Sequence, residues 1–289
     1  MNRELVYDNL NSNNTNEVCS ALEILRNEGT LSDIQVILPL LKKKNISVMK
    51  AAVNAACNII RERLVTHFNE LEPDVRKKLS TLMESLDPAI INEISKDIFS
   101  EDKNRRLRAV QILGLLKKNP QIHFILAKLI KDGDEKIRAT AITLLGKMVD
   151  PKDNKTILSL LSDKDKRVRA NTIEALENLG DKKLVPILIR FKSDQNNRIR
   201  GNVLKALFFL GYTDIESDLM SMLESGNEFM IASALWVITK TRFSTPKILD
   251  ATGYCLLATN KMVTDNARKA LKSQNTSRSL GYLRYLDNL

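Results

Sequence analysis

The sequence predicts an all-α fold, a right-handed α–α superhelix of about eight stacked helix pairs. Three observations predict it: few turn residues, apolar residues at helical spacing, and an internal repeat of about 31 residues. Of 289 residues only 10 are Gly and 7 Pro, aromatics are 5% and charged residues 28%, a balance that disfavours a β-sandwich or barrel. A hydrophobic share of 43% supports a large core and excludes a disordered chain. Apolar residues recur at i, i+3, i+4 and i+7, and no strand-like alternation competes with them.

Along the chain, residues 1–100 keep the repeat loosely. The opening MNRELVYDNLNSNNTNE has no apolar core of the kind a secretory signal requires. SVMKAAVNAACNII (47–60) reads as the second helix of a pair, with Met49 at a position where Arg stands later. PDVRKKLSTLMESL (73–86) reads as another, with Arg76 there. From 102 the repeat is sharp: DKNRRLRAVQILGLL from Asp102, DGDEKIRATAITLLG from Asp132, DKDKRVRANTIEALENLG from Asp163 and DQNNRIRGNVLKALFFLG from Asp194. Each Asp precedes an Arg by six residues, giving Arg108, Arg138, Arg169 and Arg200, and Ala or Gly follows each Arg. One repeat later Ser225 and Ile231 replace the pair. Apolar stretches at 120–130, 154–162, 182–191 and 215–223 read as the first helix of each pair, 246–258 and 262–273 as a last pair, and SLGYLRYL (279–286) as a closing helix. A single short pair cannot bury its apolar face, whereas stacked pairs share a continuous core.

The Asp-x5-Arg-Ala block, followed by an aliphatic helix ending in Leu-Gly, resembles HEAT repeats, particularly the short bacterial kind. The resemblance is sharp over 102–211 and weaker over 212–240. It implies one solenoid domain over 1–289, with degenerate repeats over 1–100, well-formed ones over 101–240 and a cap over 241–289. It also implies that the repeated Asp and Arg form a structural ladder between repeats, and that the second helices line a concave surface.

Projecting the second helices at 100° per residue leaves three exposed rows. One runs Arg106, Lys136, Arg167, Arg198, Phe229; a second Leu113, Thr143, Glu174, Lys205, Trp236; a third Lys117, Lys147, Asn178, Phe209, Lys240. The chain carries a net charge of +10, and residues 101–205 hold 24 Lys and Arg against 13 Asp and Glu. The basic character therefore belongs to the middle repeats. Such a surface suits an acidic partner, a protein segment first and a nucleic-acid backbone as the alternative; solvation alone is the bland reading. Arg106, Lys136, Arg167 and Arg198 would attract the partner, with Phe209, Phe229 and Trp236 as apolar anchors rimmed by Lys205 and Lys240. The plainer reading of those aromatics is that the closing helix covers them with Tyr282, Leu283, Tyr285 and Leu286.

Enzyme readings find little support. The only histidines, His67 and His123, are each followed by Phe, and no clustered His, Cys and carboxylate pattern points to a metal. Glycosylases of the HEAT-like class use Trp, Asp and Arg in a basic channel, but the single Trp236 lies in ASALWVITKTRF without a neighbouring carboxylate. Glycine-rich phosphate loops and nucleophile elbows are absent from the sequence. Cys19, Cys57 and Cys255 lie too far apart for a disulfide framework, and Cys255 sits in an apolar run. The expectation is a non-catalytic, cytoplasmic scaffold with no cofactor, no metal and no membrane span.

Overall fold

The computed structural model describes residues 2–148 and 154–287, without the side chains of 154 and 285–287. Among the described residues it is all-helical with no strand. Contacts divide the chain into two units, Met1–Ala141 and Ile142–Leu289.

The first unit holds α1 (Arg3–Leu10), α2 (Thr15–Glu28), α3 (Ile34–Ile37), α4 (Ile46–His67), α5 (Pro73–Leu86), α6 (Ile90–Ile98), α7 (Lys103–Leu113), α8 (Pro120–Leu129) and the start of α9 (Glu135–Gly146). Helix α4 packs on α2, α5 and α7, and α6 packs on α7. Because α4 and α7 touch directly, residues 73–86 are an additional helix beside α4 and not a link in the row of second helices. A charged cluster fastens α4, α6 and α7 together. The buried Asp97 accepts from Arg61 and from Arg105, each at 2.7 Å, and Arg105 also reaches Glu62 at 2.6 Å. Hydrogen bonding to Glu62, and secondarily to Asp97, outweighs desolvation and holds the Arg105 guanidinium firmly charged. Helix α1 is tied down by Arg3 and Tyr7, both donating to the fully buried Asp33.

The second unit continues with α10 (Asn154–Ser159), α11 (Lys166–Leu179), α12 (Val185–Ile189), α13 (Asn197–Phe209), α14 (Glu216–Leu223), α15 (Glu228–Thr241), α16 (Pro246–Tyr254), α17 (Lys261–Gln274) and α18 (Ser277–Asp287). Its second helices α11, α13, α15 and α17 pack in succession, each against the next, and each also packs on the first helix of its own pair. Leu204, Leu219, Leu235, Ile238, Ile248 and Leu271 are among the fully or almost fully buried side chains of the shared core. Helix α18 closes the unit on α16 and α17. The Tyr282 ring lies over Gly253, where a Cβ would come within 2.6 Å of it, and the Tyr282 hydroxyl donates to Asp250.

The repeated turn explains why each second helix begins where it does. Asp132 accepts from the backbone N–H of Asp134, which itself accepts from Lys136 and Ile137 as the helix cap. The same relay runs from Asp163 to Asp165 and from Asp194 to Asn196, and from Ser225 to Asn227. Two orphan N–H groups are satisfied in this way at the starts of α9, α11 and α15, and one, that of Ile199, at the start of α13. Behind the cap, Arg138 Nη1 donates to the carbonyls of Asp132 and Gly133, and Arg169 Nη1 to those of Asp163 and Lys164. Arg200 stands in the same register, with its Nε buried and lacking a hydrogen-bond partner among the described residues.

The first sharp repeat departs from the expected register by two residues. Ser100, not Asp102, occupies the relay position, and Asp102 is the cap. Arg106 accordingly takes the ladder place: it donates to the carbonyls of Ser100 and Glu101 and approaches Asp132 of the following repeat at 4.0 Å. Arg108 instead bonds Gln111 and lies over the Phe68 ring.

Candidate interaction site on the second helices

Counting from the cap residue, three offsets place side chains on the face of the second helices that the first helices leave uncovered. At offset two stand Lys136 in the first unit, then Arg167, Arg198, Phe229 and Met262 in the second. Arg106 is not in this row, because its guanidinium is turned back into the preceding turn; Asn104 stands there instead. At offset six stand Asn171, Asn202, Ser233 and Asn266, and at offset nine Glu174, Lys205, Trp236 and Lys269. The row with Leu113 shifts likewise, and Leu113 is buried in the core.

In the second unit these offsets meet in a cleft of about 380 Å³ lined by Arg198, Asn202, Phe229, Trp236, Met262 and Asn266, among others. Phe229 is 63% exposed and forms one wall. The Lys205 ammonium lies 5.3 Å from the Trp236 ring centroid, a cation–π distance. Asn202 is 2% exposed, and its amide donates to Ala170 O and to Glu174 Oε1 at 2.7 Å. Asn197 donates across to Ser233 Oγ and Phe229 O, and Asn266 donates to Met262 O. The floor is thus built from amides whose N–H groups are mostly committed within the protein, both of Asn197, both of Asn202 and one of Asn266.

The cations of this face have carboxylate neighbours. Arg167 pairs with Asp165 at 3.2 Å, and Lys205 with Glu177 at 3.0 Å. Arg198 Nη2 donates to Asn171 Oδ1 at 2.7 Å and stands 3.7 Å from Glu174. Burial pushes the Glu177 carboxyl up, while Lys205 pulls it back. Burial also opposes ionisation of Asp165, but the hydrogen bonds from Arg167 and from two backbone N–H groups prevail and hold it below the usual carboxylate range.

Phe209 and Lys240 are exposed but lie outside the residues lining the cleft; Phe209 meets Phe208 edge-to-face at 5.8 Å. The expected cover by the closing helix does not reach Phe229 or Phe209, which stay open, while Trp236 is half-buried. Tyr282 and Leu283 pack against the core instead, and the side chains of Tyr285 and Leu286 lie outside the described residues. Asn197, Asn202, Met262 and Asn266 were not among the sequence candidates. Asn202, Met262 and Asn266 stand at the constant offsets from their caps, a signal readable once the cap itself is placed; Asn197, directly after its cap, carries no such signal.

Among the described residues no group of three His, Cys, Asp or Glu side chains could hold a metal, and no helix is long and apolar enough to cross a membrane. Burial drives the Cys57 thiol up to about 12 and the Cys255 thiol up to about 11, so neither is a thiolate at neutral pH.

Helix pairs whose second members pack in succession define an α-solenoid. Residues 154–239 match the family model of HEAT repeats, and that part of the chain is built of such repeats. No curated protein matches the chain. Among solved structures, Kap121p bound to Ste12p is similar over 99% of this chain and 38% of its own, with 14% identity and a TM-score of 0.54. Kap95p, whose binding induces the switch loops of RanGDP to adopt the GTP-bound conformation, is similar over 99% of this chain and 47% of its own, with 10% identity and a TM-score of 0.52. The chain therefore spans less than half the length of either. YibA of E. coli aligns over 84% of this chain and 93% of its own at 17% identity and a TM-score of 0.44. At these identities the likeness is one of fold.

Proposed function

We propose that this protein is a non-catalytic scaffold of the cytoplasm, a single domain that binds an acidic protein segment along its second helices. The observation that carries the reading is the cleft of the second unit, where an exposed phenylalanine and the only tryptophan adjoin the half-exposed Arg198 guanidinium. Exposed aromatics beside arginine supply the binding anchors of protein interfaces, and the excess of cations over 101–205 supplies long-range attraction. The two similar solved structures named for protein partners are consistent with that use of the fold, Kap121p with Ste12p and Kap95p with RanGDP. In the second unit the neighbouring carboxylates mute the cations, which favours a peptide held by apolar contact over a polyanion held by charge. Within that unit Arg167, Arg198, Lys205 and Lys240 set the sign of the field around Phe229 and Trp236, and Phe209 offers a separate apolar contact.

The test is an anisotropy titration with fluorescein-labelled Glu-rich peptides, duplex DNA and single-stranded RNA at two salt concentrations. Peptide binding that weakens in the Arg167→Glu/Arg198→Glu variant supports the proposal. Nucleic-acid binding with a log–log salt slope near −0.9 per phosphate contacted on the duplex, and no peptide binding, would overturn it in favour of the nucleic-acid alternative.

A further inference from the structure

We infer that the cleft reads a short motif: one bulky apolar side chain three residues away from an acidic one, on a segment in polyproline II conformation. The inference rests on the scaffold reading above and adds the partner's chemistry and spacing.

The apolar half follows from the walls. Phe229 and Trp236 on α15 and Met262 on α17 surround a space of about 380 Å³, enough to enclose a phenylalanine or leucine side chain but not a folded element. The floor amide of Asn202 spends both N–H groups on Ala170 and Glu174, and that of Asn266 spends one on Met262, so the floor offers an entering polar group acceptors and few donors. A carboxylate at the bottom would meet Glu174. An apolar side chain meets no such penalty.

The acidic half follows from Arg198. Its guanidinium uses Nη2 for Asn171 and Glu174, while Nε and Nη1 make no hydrogen bond among the described residues. That leaves one edge of the planar fork for a carboxylate. Charge complementarity fixes the sign of the occupant there.

The spacing follows from helix packing. Arg198 stands on α13, and Phe229, at the same offset from its cap, stands on the neighbouring α15. Packed helices lie about 8–10 Å apart. In a β-strand, side chains on one face recur about every 6.7 Å, and the next repeat is about 13 Å; neither matches. A polyproline II helix has three residues per turn and rises about 3.1 Å per residue. It therefore returns a side chain to the same face every ~9 Å, one helix spacing. An acidic residue on Arg198 then places the residue three positions away over Phe229.

The test uses capped, fluorescein-labelled nonapeptides in a Pro/Ser background: Glu-x-x-Phe in both chain directions, the same with Phe→Ala, with Glu→Gln, and with one spacer residue removed. Trp236 is the single tryptophan, so its emission reports occupancy of the cleft with peptides left unlabelled. The expected result is a loss of about tenfold or more for Phe→Ala and about threefold for Glu→Gln or the shortened spacer. Arg198→Gln should erase the Glu and spacing preferences while the Phe preference persists, and Phe229→Ala should weaken all Phe-bearing peptides. Both sites are exposed, and unchanged circular dichroism and thermal midpoint check the fold. Binding that depends on Glu but ignores Phe and spacing overturns the motif and leaves the acidic-segment scaffold standing. Failure of every acidic peptide, Glu-rich ones included, overturns both.

Discussion

The turn entering α11 and the turn entering α15 share a cap and differ in how the carbonyls behind it are satisfied. Before α11, Asp163 relays to the cap Asp165, and Arg169 reaches back to donate to two carbonyls of the turn. Before α15, Ser225 relays to Asn227, but Ile231 replaces the arginine and packs onto the core, while Ser225 and Gly226 are exposed to water. A second pair of equivalent positions differs in the same sense. Between α11 and α13 they hold Glu177 and Lys205 as an ion pair; between α13 and α15 they hold Phe208 and Trp236. Towards the C-terminal end the repeats exchange polar fastening for apolar burial, and the open aromatic cleft lies where that exchange has happened. Repeat architecture tolerates it because each repeat answers only to its neighbours.

The largest expected effect tests the first contrast. Arg169→Met removes two charge-assisted hydrogen bonds to turn carbonyls, the one to Asp163 part-buried, and should cost about 1.5–3 kcal/mol, read by chemical denaturation. The reciprocal double change Ser225→Asp with Ile231→Arg should stay within about 1 kcal/mol of the parent, since the new bonds replace buried apolar contact. Equal losses in both experiments would mean that the two turns do not differ in kind.

Lys205→Met tests the second contrast. It leaves the mostly buried Glu177 without its cation and should cost about 2 kcal/mol at neutral pH. Burial already raises the Glu177 carboxyl, and without Lys205 it should rise further. A carboxyl whose folded value lies above its unfolded one binds more protons when folded, so stability falls as pH rises from about 4.3 through the folded value. The variant should therefore approach the parent in acid and diverge towards neutrality. A Glu177 titration followed by NMR that is unmoved by the substitution would remove the pair from the account.

The caps give a smaller effect and the opposite pH sign. Asp165→Ala and Asn227→Ala should each cost about 1 kcal/mol. The Asp165 carboxyl is held below its ordinary range despite burial, chiefly by Arg167 and the helix N–H groups. Its contribution is fully present above about pH 3.9 and is lost as pH falls through the folded value; that of Asn227 should show no such loss. Denaturation midpoints at pH 3 and pH 7 separate the two.

How legible the molecule was follows from what each feature required. The repeat, both helices of each pair and the offset rows from Lys136 onward needed only spacing, because caps and core positions recur along the chain. The first sharp repeat was misplaced by two residues because Asp102 and Arg108 imitate a ladder pair at the right separation. Only the hydrogen bonds of Ser100 and Arg106 reveal the register. The cleft was half legible: Arg198, Phe229 and Trp236 stand on one face in the sequence, while Asn202 and Met262, though at recurring offsets from their caps, are seen to line the same cleft only once neighbouring helices are packed. The sequence places Glu174 in the second row of that face but does not show that Asp165 and Glu177 also stand beside its cations, so a count of cations alone overstates its charge.

The smallest expected change in stability separates fastening from function. Arg198 is about half exposed, and its ion pair with Glu174 is long at 3.7 Å, so Arg198→Gln should alter stability by less than about 0.5 kcal/mol. The loss of Arg169 takes away bonds that the turn needs, whereas the loss of Arg198 takes away a group whose Nε and Nη1 have no hydrogen bond to lose among the described residues. Two arginines only two helix positions apart in the repeat should thus sort oppositely: Arg169→Met lowers the denaturation midpoint, and Arg198→Gln leaves it in place while weakening acidic-peptide binding. If Arg198→Gln destabilised the unit as much as Arg169→Met, its guanidinium would belong to the ladder, and the acidic side of the cleft would lose its recognition element.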